Sequence, residues 1–306
     1  MTPWRHPTVP VVIGKMVPGM MGVAAFQLNV LITQGIAYTI DKSIYAWFDY
    51  SVRLMEFPQG MFGISLATYL LPTLSGLAAE KKYPELRQTL GQGLSYLVFS
   101  NTIASVLLIV LAEPMVRLLF EHGKFTAYDT RNVAYALACL APGLIAFSAV
   151  NVLARAFYAL GDTRTPMKIS TVCLGLNVVF SVALIFPFAQ GGMGIANTIS
   201  ASFNVWLLYY ALRRKMPRLD FKPLRPDFFR LLASGVLAGE IAWITLAGWD
   251  QWLGRSGLFQ RIGAVFVPAA LAGLVYGGLA LWLKLPQAHD LWDLMRLKWR
   301  RESEDI

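Results

Sequence analysis

An all-α membrane protein with about eight transmembrane helices is the fold class this sequence predicts. Three observations lead to it. Charged residues make up 15% of the 306 residues and apolar residues 56%, whereas a soluble domain carries roughly 25% charged residues to cover its surface. The mean hydropathy is +0.51. The apolar residues also gather in runs of about 20, the length a helix needs to cross a hydrocarbon core about 30 Å thick. Nine Trp, 12 Tyr and 18 Phe offer far more buriable surface than a disordered chain carries. Lipid cannot hydrogen-bond the backbone, so such runs become helices unless they close into a barrel.

The first span is expected over residues 12–38. It is too long for a signal-peptide core and no small-residue cleavage pattern follows it, so it reads as retained. The second, over 44–74, carries Asp49, Arg53, Glu56 and Pro58, an unusual polar load with a proline that frees a carbonyl and bends the helix. The third covers 94–112 and the fourth 133–160, with Pro142 as a kink point. The fifth, 166–186, ends at Pro187, and Gly191, Gly192 and Gly194 turn the chain into the sixth, 195–212. A basic linker leads to the seventh, 228–249, and the eighth, 262–283. Trp206, Tyr209, Tyr210, Trp249 and Trp252 fall near span ends, where aromatic belts sit. Gly273 and Gly277 form a GxxxG on the eighth span, a weak signal for close helix contact.

Alternating the loops between two sides places twenty of the 27 basic residues on one side and six on the other, with Arg53 left in the membrane. Both termini are therefore expected in the cytoplasm. Residues 213–230 carry seven of the twenty, which suits a linker beside anionic lipid. A nucleic-acid role would need a folded reader module, and the sequence offers none. Cys139 and Cys173 lie in apolar runs without a CxxC partner, and His6, His122 and His289 lack HExxH-type spacing, so neither a disulfide framework nor a metal site is expected. No nucleophile elbow, Walker sequence or paired glycosidase carboxylates are present, which argues against an enzyme.

Asp49, Arg53 and Glu56 are spaced by four and three residues, so on a helix they share one face. A charge near mid-bilayer costs at least about 2.5 to 3.5 kcal/mol and normally faces a polar interior or cavity. Two readings stay open: a self-neutralising cluster that holds helices together, or a cavity-lining site that meets an anionic substrate. For the second, Arg53 is the candidate, because a guanidinium stays protonated and offers phosphate two parallel donors. Glu240 is the other charge well inside an apolar span. It faces a neighbouring helix, a groove between the last two spans, or the interface. Asn29, Asn101, Asn151, Asn177 and Asn204 also fall in spans, where interhelical hydrogen bonding is their ordinary role.

The stretch Arg53-Leu-Met-Glu-Phe-Pro-Gln-Gly60, continuing through Gly63-Ile-Ser-Leu-Ala-Thr68 to Leu70-Leu-Pro-Thr-Leu-Ser75, resembles the seventh-to-eighth helix region of the MurJ (MviN) family of bacterial lipid II flippases. Leu119-Phe-Glu-His-Gly-Lys-Phe-Thr126 with Asp129 is similar to that family's external loop, and Phe157-Tyr-Ala-Leu-Gly-Asp-Thr-Arg-Thr-Pro166 to a cytoplasmic turn. The resemblance implies a multidrug/oligosaccharidyl-lipid/polysaccharide (MOP) exporter of two six-helix lobes around a central cavity, with two extra helices forming a groove for a polyprenyl tail. Mapped so, residues 1–213 are the second lobe, 214–227 a cytoplasmic linker, 228–284 the two extra helices and 285–306 a cytoplasmic tail, the first lobe being absent. Arg53 matches the family's cavity arginine in this lobe and Glu56 its neighbouring acid. Ser51-Val52 replace the Ala-Asp common before that arginine, with Asp49 as a substitute one turn earlier.

By resemblance, then, the expectation is translocation of lipid II across the bacterial cytoplasmic membrane by alternating access, in contact with membrane lipid and in need of a separately encoded first lobe or a second copy. Other readings are export of another lipid-linked substrate such as O-antigen lipid, or a non-transporting fragment. Where some relatives use carboxylates of this lobe for a cation, this sequence has Asn29 and Asn177, so no metal and no cofactor are expected.

Overall fold

The structure, a computed structural model, describes residues 31–33, 35–217, 224–254, 257–290, 292, 293 and 296. The first expected span lies mostly outside these residues, and its last part, 35–40, is helical. The described residues contain helices and no strand, so the all-α class holds. Among the described residues six helices are long and apolar enough to cross a membrane.

Helix α1 (Lys42–Pro58) opens on Asp41, whose carboxylate accepts the Ser43 N–H at 2.8 Å and so serves a donor that the first turn leaves free. Pro58 cannot donate to the turn before it. The backbone widens there into a π-helical segment, Gln59–Ile64, before α2 (Ser65–Ala79) resumes the α-helix. The bend expected at Pro58 is thus a wide turn within one 38-residue span. Lys81, at φ 57°, closes α2, and the Lys82 N–H reaches back to the Leu77 carbonyl at 2.9 Å, the six-to-one bond of a left-handed helix cap.

Helix α3 (Tyr83–Val110) has Pro84 in its first turn, where no N–H is missed. The short α4 (Ala112–Phe120) follows, a helix between the third and fourth spans that the run lengths do not predict. Helix α5 (Ala127–Leu140) starts with reciprocal Thr126 and Asp129 hydrogen bonds. A 3₁₀ turn, Ala141–Gly143, sits at the expected Pro142 kink and leads into α6 (Leu144–Ala159). The Ser105 hydroxyl of α3 donates to the Ala141 carbonyl at 2.8 Å, satisfying an acceptor that the break exposes.

Helix α7 (Arg164–Lys215) has 52 residues, roughly 78 Å at 1.5 Å per residue and about twice what one crossing needs. It breaks at Ala189, at φ 46° and ψ −128°, between the fifth and sixth spans expected from the sequence. Gly192 is required there because a Cβ would run into the Leu184 carbonyl. Helices α8 (Leu224–Trp252) and α9 (Leu258–Trp282) complete the bundle. Counting the halves of α7 apart gives seven crossings among the described residues.

Four apolar clusters hold these elements together, the smallest formed by Leu111, Leu246 of α8 and Ala264 of α9. The largest joins α1 to α5 and the start of α6 through Trp47, Leu54, Leu137 and Leu144. A second joins α2, α3, α6 and the end of α7 through Leu74, Leu90, Phe157 and Leu208. The third packs α8 and α9 on each other and on α3 through Ala238, Ala242, Ala272 and Tyr276. The Tyr276 hydroxyl donates across to the Phe99 carbonyl at 2.8 Å. The last two helices are therefore a pair fixed to the other described helices through α3 and α4.

Candidate functional site

The charged cluster lies on the exposed side of the α1 span. Arg53 Nε donates to Asp49 Oδ2 at 2.9 Å, with the side chains 67% and 35% exposed. One turn earlier Tyr45 also engages Asp49. The structure thus brings Asp49 and Arg53 together as their spacing predicts. Glu56 is exposed farther along the same side and makes no ion pair among the described residues. Tyr45 escaped the sequence reading, although its place four residues before Asp49 is the signal that finds it.

This side of α1 is not packed against another described helix. Arg53, Glu56 and Phe57 are exposed on it, as are Met61, Thr68 and Tyr69 farther along. The opposite side of α1 is buried against α5 and α7. A Cβ on Gly63 would lie 2.5 Å from Ser148 Oγ, so the missing side chain lets the π segment rest on α6. Behind it, Ser148 donates to Asn101 Oδ1 at 3.4 Å and Asn101 donates to the Leu97 carbonyl at 2.9 Å. The span therefore presents a polar and aromatic face on one side and a fixed, hydrogen-bonded seat on the other.

The chain turns gather at two ends. At one, Asp162 Oδ1 accepts the N–H groups of Arg164 and Thr165 at 3.1 and 3.0 Å, and Oδ2 lies 2.6 Å from Lys215 Nζ. Burial alone pushes this carboxyl up, but the Lys215 ammonium and the Thr165 donors outweigh it and hold it at about 2. Gly161, at φ 74°, makes the left-handed turn that brings Asp162 there. At the same end Tyr96 donates to Asp290 and Gln287 to Ser95, tying the segment after α9 to α3. At the other end Trp47 Nε1 donates to Asp129 Oδ1 at 2.9 Å. Arg117 bridges Glu113 at 2.8 Å and Glu121 at 3.2 Å, and Arg261 lies 3.8 Å from Glu121. The two sequence stretches that resembled family turns are thus the joints between helices.

An apolar cleft of about 370 Å³ opens between α3, α6, the end of α7 and the start of α8, lined by Leu94, Ile145, Leu153, Trp206, Tyr209 and Phe228 among others. Helix α9 contributes nothing to it. Asn177 and Ser181 are buried one turn apart on α7, and the Ser181 hydroxyl has no partner among the described residues. Asn29 lies outside the described residues. No group of three acidic, His or Cys side chains suited to a metal occurs among the described residues.

The family model described as Lipid II flippase MurJ matches residues 1–262. The probable lipid II flippase MurJ of Haemophilus influenzae is 31% identical over 295 residues, covering 94% of this chain and 57% of that protein. The lipid II flippase MurJ of Burkholderia cenocepacia is 32% identical over 285 residues, covering 91% and 54%. A solved structure of lipid II flippase MurJ in an inward closed conformation superposes with a TM-score of 0.74 at 20% identity, covering 90% of this chain and 55% of that one, a likeness of fold. The chain spans about half the length of the curated relatives it matches.

Proposed function

The chain belongs to the lipid II flippase MurJ family, and on that premise we propose that it works as one half of a transporter that moves lipid-linked peptidoglycan precursor across the bacterial cytoplasmic membrane. In this reading it is a carrier and not a catalyst. The observation that carries it is the Asp49–Arg53 pair on an exposed face of a membrane-spanning helix. A guanidinium held by one carboxylate keeps donors free for pyrophosphate, whose paired oxygens accept the planar fork better than a lone ammonium would satisfy them. Asp49 limits the insertion cost while the face is empty and yields when the more highly charged anion arrives. Glu56, beside Arg53, keeps the face from becoming a general anion sink.

Alternating access needs a second wall facing this one, and a separately supplied first lobe is the natural source. The wide turn at Gln59–Ile64 gives the α1 span a place to bend during the cycle, since π segments mark movable points in helices. The termini and the 213–230 linker face the cytoplasm, and the 113–126 segment faces outward. An exporter of cationic drugs is a poorer reading because Arg53 would repel its cargo. The test is complementation in cells depleted of their own lipid II flippase. The chain with a co-expressed first lobe should restore growth and the chain alone should not. Rescue by the chain alone would overturn the need for a first lobe. Failure of every first-lobe combination, with both parts present in the membrane, would overturn the flippase reading.

A further inference from the structure

Glu240 lies sixteen residues after the start of α8 and twelve before its end, so it sits near mid-depth of the span. Its side chain is exposed. The other sides of α8 are occupied: Gly235 and Gly239 lie against Thr102 and Val106 of α3, and Ala238 and Ala242 pack into the cluster shared with α9. On a 3.6-residue helix, Glu240 falls at the centre of the remaining face, flanked by exposed Val236, Trp243 and Ile244. It has no hydrogen bond or ion pair among the described residues. Arg230, ten residues away on its own helix, is paired with Asp227, and Arg261, near the start of α9, lies beside Glu121. On α3, Arg87 stands in the first turns, far from the level of Thr102 and Val106 that α8 packs against.

A carboxylate on a lipid-facing surface costs several kcal/mol unless something pairs with it. A polyprenyl or acyl tail has no donor to offer, so this face does not suit a lipid-tail groove. We propose that the outer face of α8 centred on Glu240 docks a transmembrane helix of another protein that carries a lysine or arginine near the middle of its span. The exposed Trp243 and Ile244 supply the apolar packing around the pair, as helix contacts in membranes require. The paired charge supplies selectivity, since a helix with an acid at the same depth is repelled. A second copy of this chain is a poor occupant, because Asp49 and the exposed Glu56 flank its Arg53 and would repel Glu240. The inference stands independently of the transport reading.

The test reconstitutes the 306-residue chain, with a fluorescent donor fused to its N-terminus, into phosphatidylcholine vesicles. The probes are acceptor-labelled leucine–alanine transmembrane peptides with lysine, leucine or glutamate at the central position. The lysine peptide should associate about tenfold more tightly than the leucine peptide. Glu240→Gln should remove that preference, and Glu240→Lys should transfer it to the glutamate peptide. Equal association of the lysine and leucine peptides, or a lysine preference that survives Glu240→Gln, overturns the proposal. So does loss of the preference once a first lobe is co-reconstituted, because that outcome assigns the face to the first lobe. The reversal by Glu240→Lys keeps the test decisive if Glu240→Gln alone lowers the yield of folded protein.

Discussion

Arg53 is where binding and folding roles can be measured apart. If the guanidinium binds pyrophosphate, Arg53→Lys keeps the charge, loses the planar fork and should reduce flipping per molecule about tenfold. Arg53→Ala should reduce it about a hundredfold or more, the loss expected when a charge-assisted bidentate contact of about 3 kcal/mol disappears. Protein level in the membrane should change little, since the Arg53 side chain is 67% exposed and supports little packing. A cluster that only held helices together would give the reverse order, with protein lost first and activity per molecule intact. Asp162 ties the turn before α7 to the end of that helix through Lys215. Its carboxyl is held at about 2 in the folded chain, below the roughly 3.9 of an unfolded chain, so its pairing stabilises the fold at neutral pH by about 2 kcal/mol. That contribution is complete above the unfolded value and disappears as pH falls through the folded one. Asp162→Asn should therefore lower the Tm of the detergent-solubilised chain at pH 7, and the gap from the unchanged chain should narrow as pH is taken below 4.

At the scale of elements, the seat of the α1 span on α6 depends on what is absent at one position. Gly63→Ala places a methyl group 2.5 Å from Ser148 Oγ and 2.8 Å from its Cβ. The π segment must then lift from α6 or distort, at a cost of about 1 to 3 kcal/mol. Thermal unfolding should record that loss, and the double variant Gly63→Ala with Ser148→Gly should recover most of it, because the new methyl then occupies the vacated volume. If the double variant is no better than Gly63→Ala alone, the contact is not what limits that substitution. The break in α7 follows the same logic of backbone space, with Gly192 beside the Leu184 carbonyl. In both places a small residue admits a backbone that carries the chain past a proline, Pro58 in one and Pro187 in the other.

For the whole molecule, the alternation of turns between two ends agrees with a multi-pass bundle. Residues 80–82, 160–163 and the segment after α9 lie at the end marked by the Asp162–Lys215 and Tyr96–Asp290 contacts. The 111–126 stretch and the start of α9 meet at the other end through Glu121 and Arg261. With the basic residues weighted toward the first end, that end should be cytoplasmic. A membrane-impermeant thiol reagent applied to intact cells should label Arg218→Cys poorly and His122→Cys readily. Labelling of position 218 with protection of position 122 would invert the proposed orientation.

The sequence by itself determined the class of the molecule and the order of its spans, because run length, charge content and proline position act locally and the bilayer fixes the length each run must have. It also determined that Asp49 and Arg53 meet, since a four-residue spacing closes on itself in any helix. Only the tertiary structure decided which side of each span is covered. Glu240 was open to three placements until α3 and α9 were seen to take the other faces of its helix, and Gly63 gave no sign of its role until Ser148, 85 positions later in the chain, was found against it. The α4 helix gives no span signal because its nine residues are too few to cross a bilayer. Periodicity along one helix ranks its faces by polarity. The partner that occupies a face is set by packing between distant segments, which one-dimensional spacing does not encode.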